Sequence, residues 1–267
     1  MDTAKIEKIR HYIAALPVGL PAFAPEAKPA MKPGILSKIG PRAPVNAATL
    51  ASLPDGLVTG SNLVQFSQDT GPELRSAVAL SLLAAQRVAA ANQTVASPSG
   101  WVGVHNAVLQ NLGWMIEDGA YATETLSGDN LAVHEAIIPV LTAAFGPAAA
   151  AGSLILTALN QLKTMDQEAP WITLFEHNSR RFDVHEFQFT VVEKVGSRSA
   201  LAMVSARFDG KFNATQVLFF KLKSADAQFE SARTKLSANS SLLSAMNDDL
   251  QAKLIGHVKS YIATLDV

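Results

Sequence analysis

The stretch Phe175-Glu176-His177-Asn178-Ser179-Arg180-Arg181-Phe182-Asp183-Val184-His185 sets two of the chain's six histidines around Arg180, Arg181 and Asp183. If it is extended, Asp183 and His185 point to the same side, because side chains alternate along a strand. A carboxylate beside an imidazole is the beginning of a general base. Such a base needs a nucleophile or a positioned water, and a metal would need further ligands at a regular spacing. Nothing nearby supplies either, so the competing reading is a polar turn leading into an edge strand. His134-Glu135 does not open an HExxH zinc helix, since Ile138 occupies the place of the second histidine. His105 follows Trp101 by one helical turn and reads as a hydrogen-bonded, partly buried histidine. His11 and His257 fall on terminal helices and carry no signal. An acyl-transferring or hydrolytic enzyme would have to draw on His105, His177, His185 or Asp183.

No GxSxG elbow, GxGxxG loop or GxxxxGK[ST] loop is present, and no motif calls for a cofactor or a metal. There is no cysteine, which excludes disulfides, thiolate ligands and a cysteine nucleophile. With 22 basic against 23 acidic residues and no basic tract, nucleic acid is not an expected partner. Charged residues make up 17% of the chain, below the roughly 25% usual in soluble domains, so much of it must be buried.

The elements that must hold these residues are legible from periodicity. Ile6, Ile9, Ile13 and Leu16 make one face of a helix over 2–16, which Pro17 ends. Proline then recurs at 17, 21, 25, 29 and 33, and again at 41 and 44, which suggests an extended arm laid on the body or around a neighbouring subunit. A short strand fits within 57–66, and helices fit 72–92 and 99–117, the second burying Val104, Val108, Leu112 and Met115. A turn or a short strand follows over 119–127, and Asp129 or Asn130 is placed to cap a helix ending at Phe145.

From Ala136 to Leu162 no side chain carries a formal charge. One helix of that length would span a bilayer, but Pro139 and Gly146-Pro147 divide it into two shorter helices, the second over 147–162. Ala, Gly and Ser are abundant, which suits close packing of a buried hairpin. The other readings are a lining for an acyl chain, formed by Ile138, Leu141, Phe145, Leu154, Leu156 and Leu159, or a segment that enters a membrane. A fatty acid or a membrane lipid is the partner this implies.

After Pro170 the period changes to two, giving strands over 171–176, 182–193, 200–208 and 215–222, with 229–236 as a further candidate. A single helix over 240–265 closes the chain, with Asp248-Asp249 complementing its dipole. The expected class is α+β: a helical N-terminal two-thirds, an antiparallel β meander near 171–223 and a long C-terminal helix. Residues 1–46 would form a helix and proline-rich arm, and 47–267 a single α+β domain.

Three strings resemble one family: Asn111-Leu112-Gly113-Trp114, Ala-Leu-Ala-Met-Val-Ser-Ala-Arg-Phe over 200–208, and Val217-Leu218-Phe219-Phe220-Lys221. Their order and spacing, with Lys253-Leu254 near the end of the last helix, are similar to proteins related to the Erwinia virulence factor Evf. The likeness covers roughly 75–262 and leaves the proline-rich arm outside. It implies an α+β fold, a fatty acyl chain carried on a cysteine, and association with membranes. This chain departs at the acylated residue, because it has no cysteine to form the thioester. A non-covalent lipid would then replace the covalent one, or side chains such as Phe145 and Leu156 would fill the space. The expectation is a non-enzymatic, lipid- or membrane-associating accessory protein of virulence type, with an assembly component joined through the arm as a further alternative. The N-terminus carries charges throughout and has no apolar leader, and Asp2 excludes N-myristoylation. Cytoplasmic residence is expected, with peripheral membrane attachment or signal-less export as variants.

Overall fold

The computed structural model describes residues 3–18, 50, 53–91, 98–124, 132–145, 153–162, 170–181, 184–209, 218 and 228–264. The proline-rich segment after Val18, Asp183, the 146–152 connection and all of the 215–222 strand except Leu218 lie outside them.

Adjacent residues on the central strands go to opposite cores. Leu57, Val64, Val192 and Met203 join one apolar cluster, while their neighbours Val58, Leu63, Val191 and Val204 join another. A sheet covered on both faces follows. The strands are β1 (Gly56–Thr59), β2 (Asn62–Phe66), β3 (Met115–Glu124), β4 (Arg180–Arg181), β5 (Val184–Val195), β6 (Arg198–Asp209), β7 (Gln228–Asn239) and β8 (Ile262–Thr264). Their order is β3-β7-β6-β5-β2-β1-β8, with β4 paired to β5. Every pair is antiparallel except β2 with β5, so this is a mixed α/β fold with a mixed sheet.

The first face carries α1 (Thr3–Ala15), α2 (Pro72–Ala91), α3 (Pro98–Asn111), α7 (Ser240–Ala245) and α8 (Asn247–Tyr261). Ile6, Ile9, Ile13 and Leu16 pack there as their spacing requires. Helix α2 is long and apolar enough to cross a bilayer, yet 72% of its most apolar window is buried, as in a core helix. The second face carries α4 (Val133–Phe145), α5 (Ser153–Gln161) and α6 (Pro170–Ser179).

Several expectations are corrected. Residues 171–176 are helical, not extended: Pro170 starts α6, and Trp171, Ile172 and Phe175 form its buried side. The short apolar run fits either period, and helical packing on the sheet decides it. The antiparallel meander therefore runs over 184–239, with the 229–236 candidate realised as β7. Residues 57–66 hold a hairpin of two strands turned by Gly60-Ser61, with Gly60 at φ 60°.

The C-terminal helix is two helices. Met246 closes α7 with its N–H on the Leu243 carbonyl, Asn239 caps α7 at Leu242 N, and Asp248-Asp249 fall in the first turn of α8. Strand β8 takes the last residues of the expected helix.

Helix α3 stops at Asn111, short of 117. Gly113 sits at φ 96°, its N–H on the Gln110 carbonyl and the Trp114 N–H on that of Leu109, which is a Schellman closure. Met115, beyond the helix, leaves the core with 51% of its surface exposed, and Val104, within it, is half-buried. A Cβ on Gly113 would stand 2.8 Å from Leu242 Cδ2 and 3.3 Å from Ile9 Cδ1. Gly113→Ala therefore meets both a left-handed backbone and a close approach. Urea denaturation of that variant should show a loss of roughly 1–3 kcal/mol.

Candidate functional site

The uncharged segment folds, in its described parts, as the outer cover of the phenylalanine-rich face. Helix α4 begins where Glu135 Oε2 accepts the N–H of Ala132, half of a capping box. Helix α5 is capped from outside itself: Gln65 Oε1, on β2, accepts the N–H groups of both Leu154 (2.9 Å) and Ile155 (3.2 Å). Those amides would otherwise be unsatisfied at a helix start. Gln65→Ala should cost about 1–2 kcal/mol, in the range of a lost cap, and hydrogen exchange should quicken first at Leu154 and Ile155.

The six residues proposed to line an apolar pocket separate into two groups. Leu141, Phe145 and Leu159 are buried in the cluster around Phe175, Phe187 and Phe189, whose ring centroids lie 5.7–6.3 Å apart. Ile138 and Leu156 are half-buried against that cluster, and Leu154 is half-buried at the start of α5. Facing outward are Pro139, Thr142, Ala143, Ser153, Thr157 and Asn160, all exposed and none ionisable.

The histidines do not assemble into one centre. His105 is fully buried beneath the first face, 5.5 Å from Trp101 ring to ring. His185 is on β5 and faces the other side, with Nδ1 3.2 Å from Ser179 Oγ, which itself donates to the Glu176 carbonyl. His177 lies exposed on α6. His134, at the start of α4, donates from Nδ1 to the Leu218 carbonyl at 2.6 Å, and Glu176 Oε1 accepts the Leu218 N–H. These are bonds that hold α4 and α6 to their neighbours. His257, half-buried on α8, has its pKa lowered, by burial first and by the charge of Arg87 second. Among the described residues no three of His, Asp and Glu converge as a metal cage.

The densest polar group was not anticipated. Gln188, fully buried on β5, accepts from Gln86 Nε2 (2.9 Å) and donates to Ser205 Oγ (3.1 Å), with His105 Nε2 at 3.4 Å. Gln86 Oε1 accepts the Ser61 N–H. Beside it Glu186, Arg207 and Glu230 stand directly opposite one another across β5, β6 and β7. With Trp101 and Val102 they line a cleft of about 10 Å³, room for one water. A signal existed in the Glu186-Phe187-Gln188-Phe189-Thr190 alternation, but alternation alone does not tell a wet face from a buried polar one.

No protein-family model matches the chain, and no curated protein sequence matches it. Solved structures that are similar to it include a toxin and a virulence factor. A delta-endotoxin shares 13% identity at a TM-score of 0.35, over 68% of this chain and 84% of that one. The Evf virulence factor shares 10% identity at a TM-score of 0.33, over 75% of this chain and 84% of that one. The likeness is distant and of fold alone. Neither carries an argument about activity, so the functional reading stands on the residues themselves.

Proposed function

We propose that this is a non-enzymatic accessory protein of virulence type that associates with membrane lipid through the uncharged α4–α5 layer. The observation that carries the proposal is that over 136–162 no side chain is ionisable, and the exposed positions described there, Pro139, Thr142, Ala143, Ser153, Thr157 and Asn160 among them, are as neutral as the buried ones. A charge carried to the bilayer centre costs about 2.5–3.5 kcal/mol on insertion scales, and here no such cost arises over 136–162. Membrane lipid is favoured over a single enclosed fatty acid because Leu141, Phe145 and Leu159 are already packed against protein. Descent from the Evf-like group belongs to the same proposal and rests on the strings at 111–114, 200–208 and 217–221. The alternative enzyme with a histidine base loses support from His105 and His185, which occupy opposite faces of the sheet and are both buried.

The test is flotation of the purified protein with neutral and with anionic vesicles, alongside organic-solvent extraction of the protein as isolated. Co-flotation is the expected result. A protein that stays below every vesicle preparation and yields no lipid on extraction overturns the proposal.

A further inference from the structure

We infer that the protein meets the bilayer with one end of its sheet, the end carrying the β5–β6 turn, and that the surface it meets is anionic. This rests on the lipid reading above and adds the orientation and the lipid charge. Sheet register locates the end. Gln65, which holds the first amides of α5, pairs with Val191, four residues before Val195 and so about 13 Å from it along β5. Helix α4 starts at the opposite end, where His134, Leu218 and Glu176 are bonded together and Ser179 meets His185. His185 precedes Val195 by ten residues, about 33 Å of strand. The α4–α5 pair thus has the start of its second helix near the β5–β6 turn and the start of its first far from it.

Exposed apolar side chains collect at the same end. Among the described residues, the large hydrophobics most open to water are Val195 (59%), Met115 (51%), Ile255 (42%) and Ile116 (39%). Met115 stands in one ladder with Ser237, Ala200 and Glu193, two residues short of Val195. Ile116 follows in the next ladder, and only Ile255, on α8, lies elsewhere. The turn is pinned, with the Ser197 carbonyl accepting the Ser240 N–H and Gly196 at φ 61°.

Exposed Lys194 and Arg198 flank Val195. An apolar tip between two long cationic side chains suits an acidic lipid surface, since their stems can lie along the acyl boundary while the charges stay at the headgroups. Glu193 lies half-buried on the same hairpin as the two cations. Met115 and Ile116 share their strand with Glu117 and Asp118, three strand spacings or about 14 Å from Val195, so that strand borders a contact centred on Lys194, Val195 and Arg198.

Because the chain has no cysteine, one introduced thiol labels one place. The full chain with Val195→Cys, and separately with His177→Cys at the far end, is given an environment-sensitive fluorophore. Each is mixed with phosphatidylcholine vesicles, with and without phosphatidylserine. The expected result is a blue shift and quenching by nitroxide lipid at 195, with no change at 177. Lys194→Gln with Arg198→Gln should weaken binding to anionic vesicles about thirtyfold while leaving the melting temperature in place. Bound protein with a shift at 177 and none at 195 overturns the orientation and leaves the lipid reading standing. Equal binding to neutral vesicles, undiminished in the double variant, overturns the anionic preference. If the unsubstituted protein floats with no vesicle, the lipid reading has failed, and this inference fails with it.

Discussion

Gln188→Leu should destabilise the protein by roughly 3–5 kcal/mol, although leucine is similar in size and belongs in a core. Gln188 is fully buried and the centre of a chain that runs from the Ser61 N–H through Gln86 to Ser205 and His105. Gln188 Nε2, a donor, also stands 3.4 Å from His105 Nε2, which can accept from it. Leucine at 188 leaves the Gln86 amide, the Ser205 hydroxyl and the His105 lone pair each short of a partner. Every such group costs about 1–3 kcal/mol when it cannot reach water. Urea denaturation gives the loss directly. In a double-mutant cycle with Gln86→Leu the two losses should be less than additive, because both substitutions remove the same 2.9 Å bond. Full additivity, or a Gln188→Leu protein as stable as the parent, would mean the network holds nothing together.

The same residues explain which parts of the fold were legible beforehand. Helices α1 and α2 were readable because their apolar spacing agrees with their burial, and the β5–β6 hairpin because Gly196 marks a turn that its backbone requires. Helix α6 was not, since Trp171-Ile172-Thr173-Leu174-Phe175 contains no local evidence for either period. Its helical state is fixed by packing Trp171, Ile172 and Phe175 onto a sheet assembled from distant residues. The α7–α8 break was hidden for a related reason: Met246 continues the apolar rhythm while its backbone ends one helix and lets Asn247 begin another. Joining β2 to β5 in parallel was beyond any periodicity argument, because register between strands so far apart in sequence is a tertiary fact.

The candidate site divides similarly. The absence of charge over 136–162 is a property of the sequence and correctly marked the cover of an apolar face. Which of its leucines are enclosed and which half-open depended on where the phenylalanines of β5 arrived. Buried Gln188, Gln86 and Gln65 stayed invisible because a polar residue in a strand or helix declares only that it needs partners, and partners 102 or 89 residues away leave no trace in local spacing.

A carboxylate on the outward side of the neutral layer should separate stability from lipid binding. Thr142 and Thr157 are exposed on α4 and α5, and neither joins the cluster beneath them. Thr142→Glu gives up one hydroxyl bond to the Ile138 carbonyl, a back-bond within the helix that water readily replaces. Either substitution should move stability by no more than about 0.5 kcal/mol, as surface changes usually do. Affinity for vesicles should respond far more strongly. A charge carried to the bilayer centre costs about 2.5–3.5 kcal/mol and one nearer the headgroups about 1 kcal/mol, so each variant should bind roughly fivefold to a hundredfold less well in a flotation titration. Neutral Thr142→Gln should retain most of the binding, which isolates charge from side-chain size. If Thr142→Glu and Thr157→Glu keep full affinity while Lys194→Gln with Arg198→Gln loses it, the helices remain in water and contact is confined to the β5–β6 turn. The neutrality of the α4–α5 layer would then be a requirement of packing against Phe175, Phe187 and Phe189, with no part in meeting the membrane.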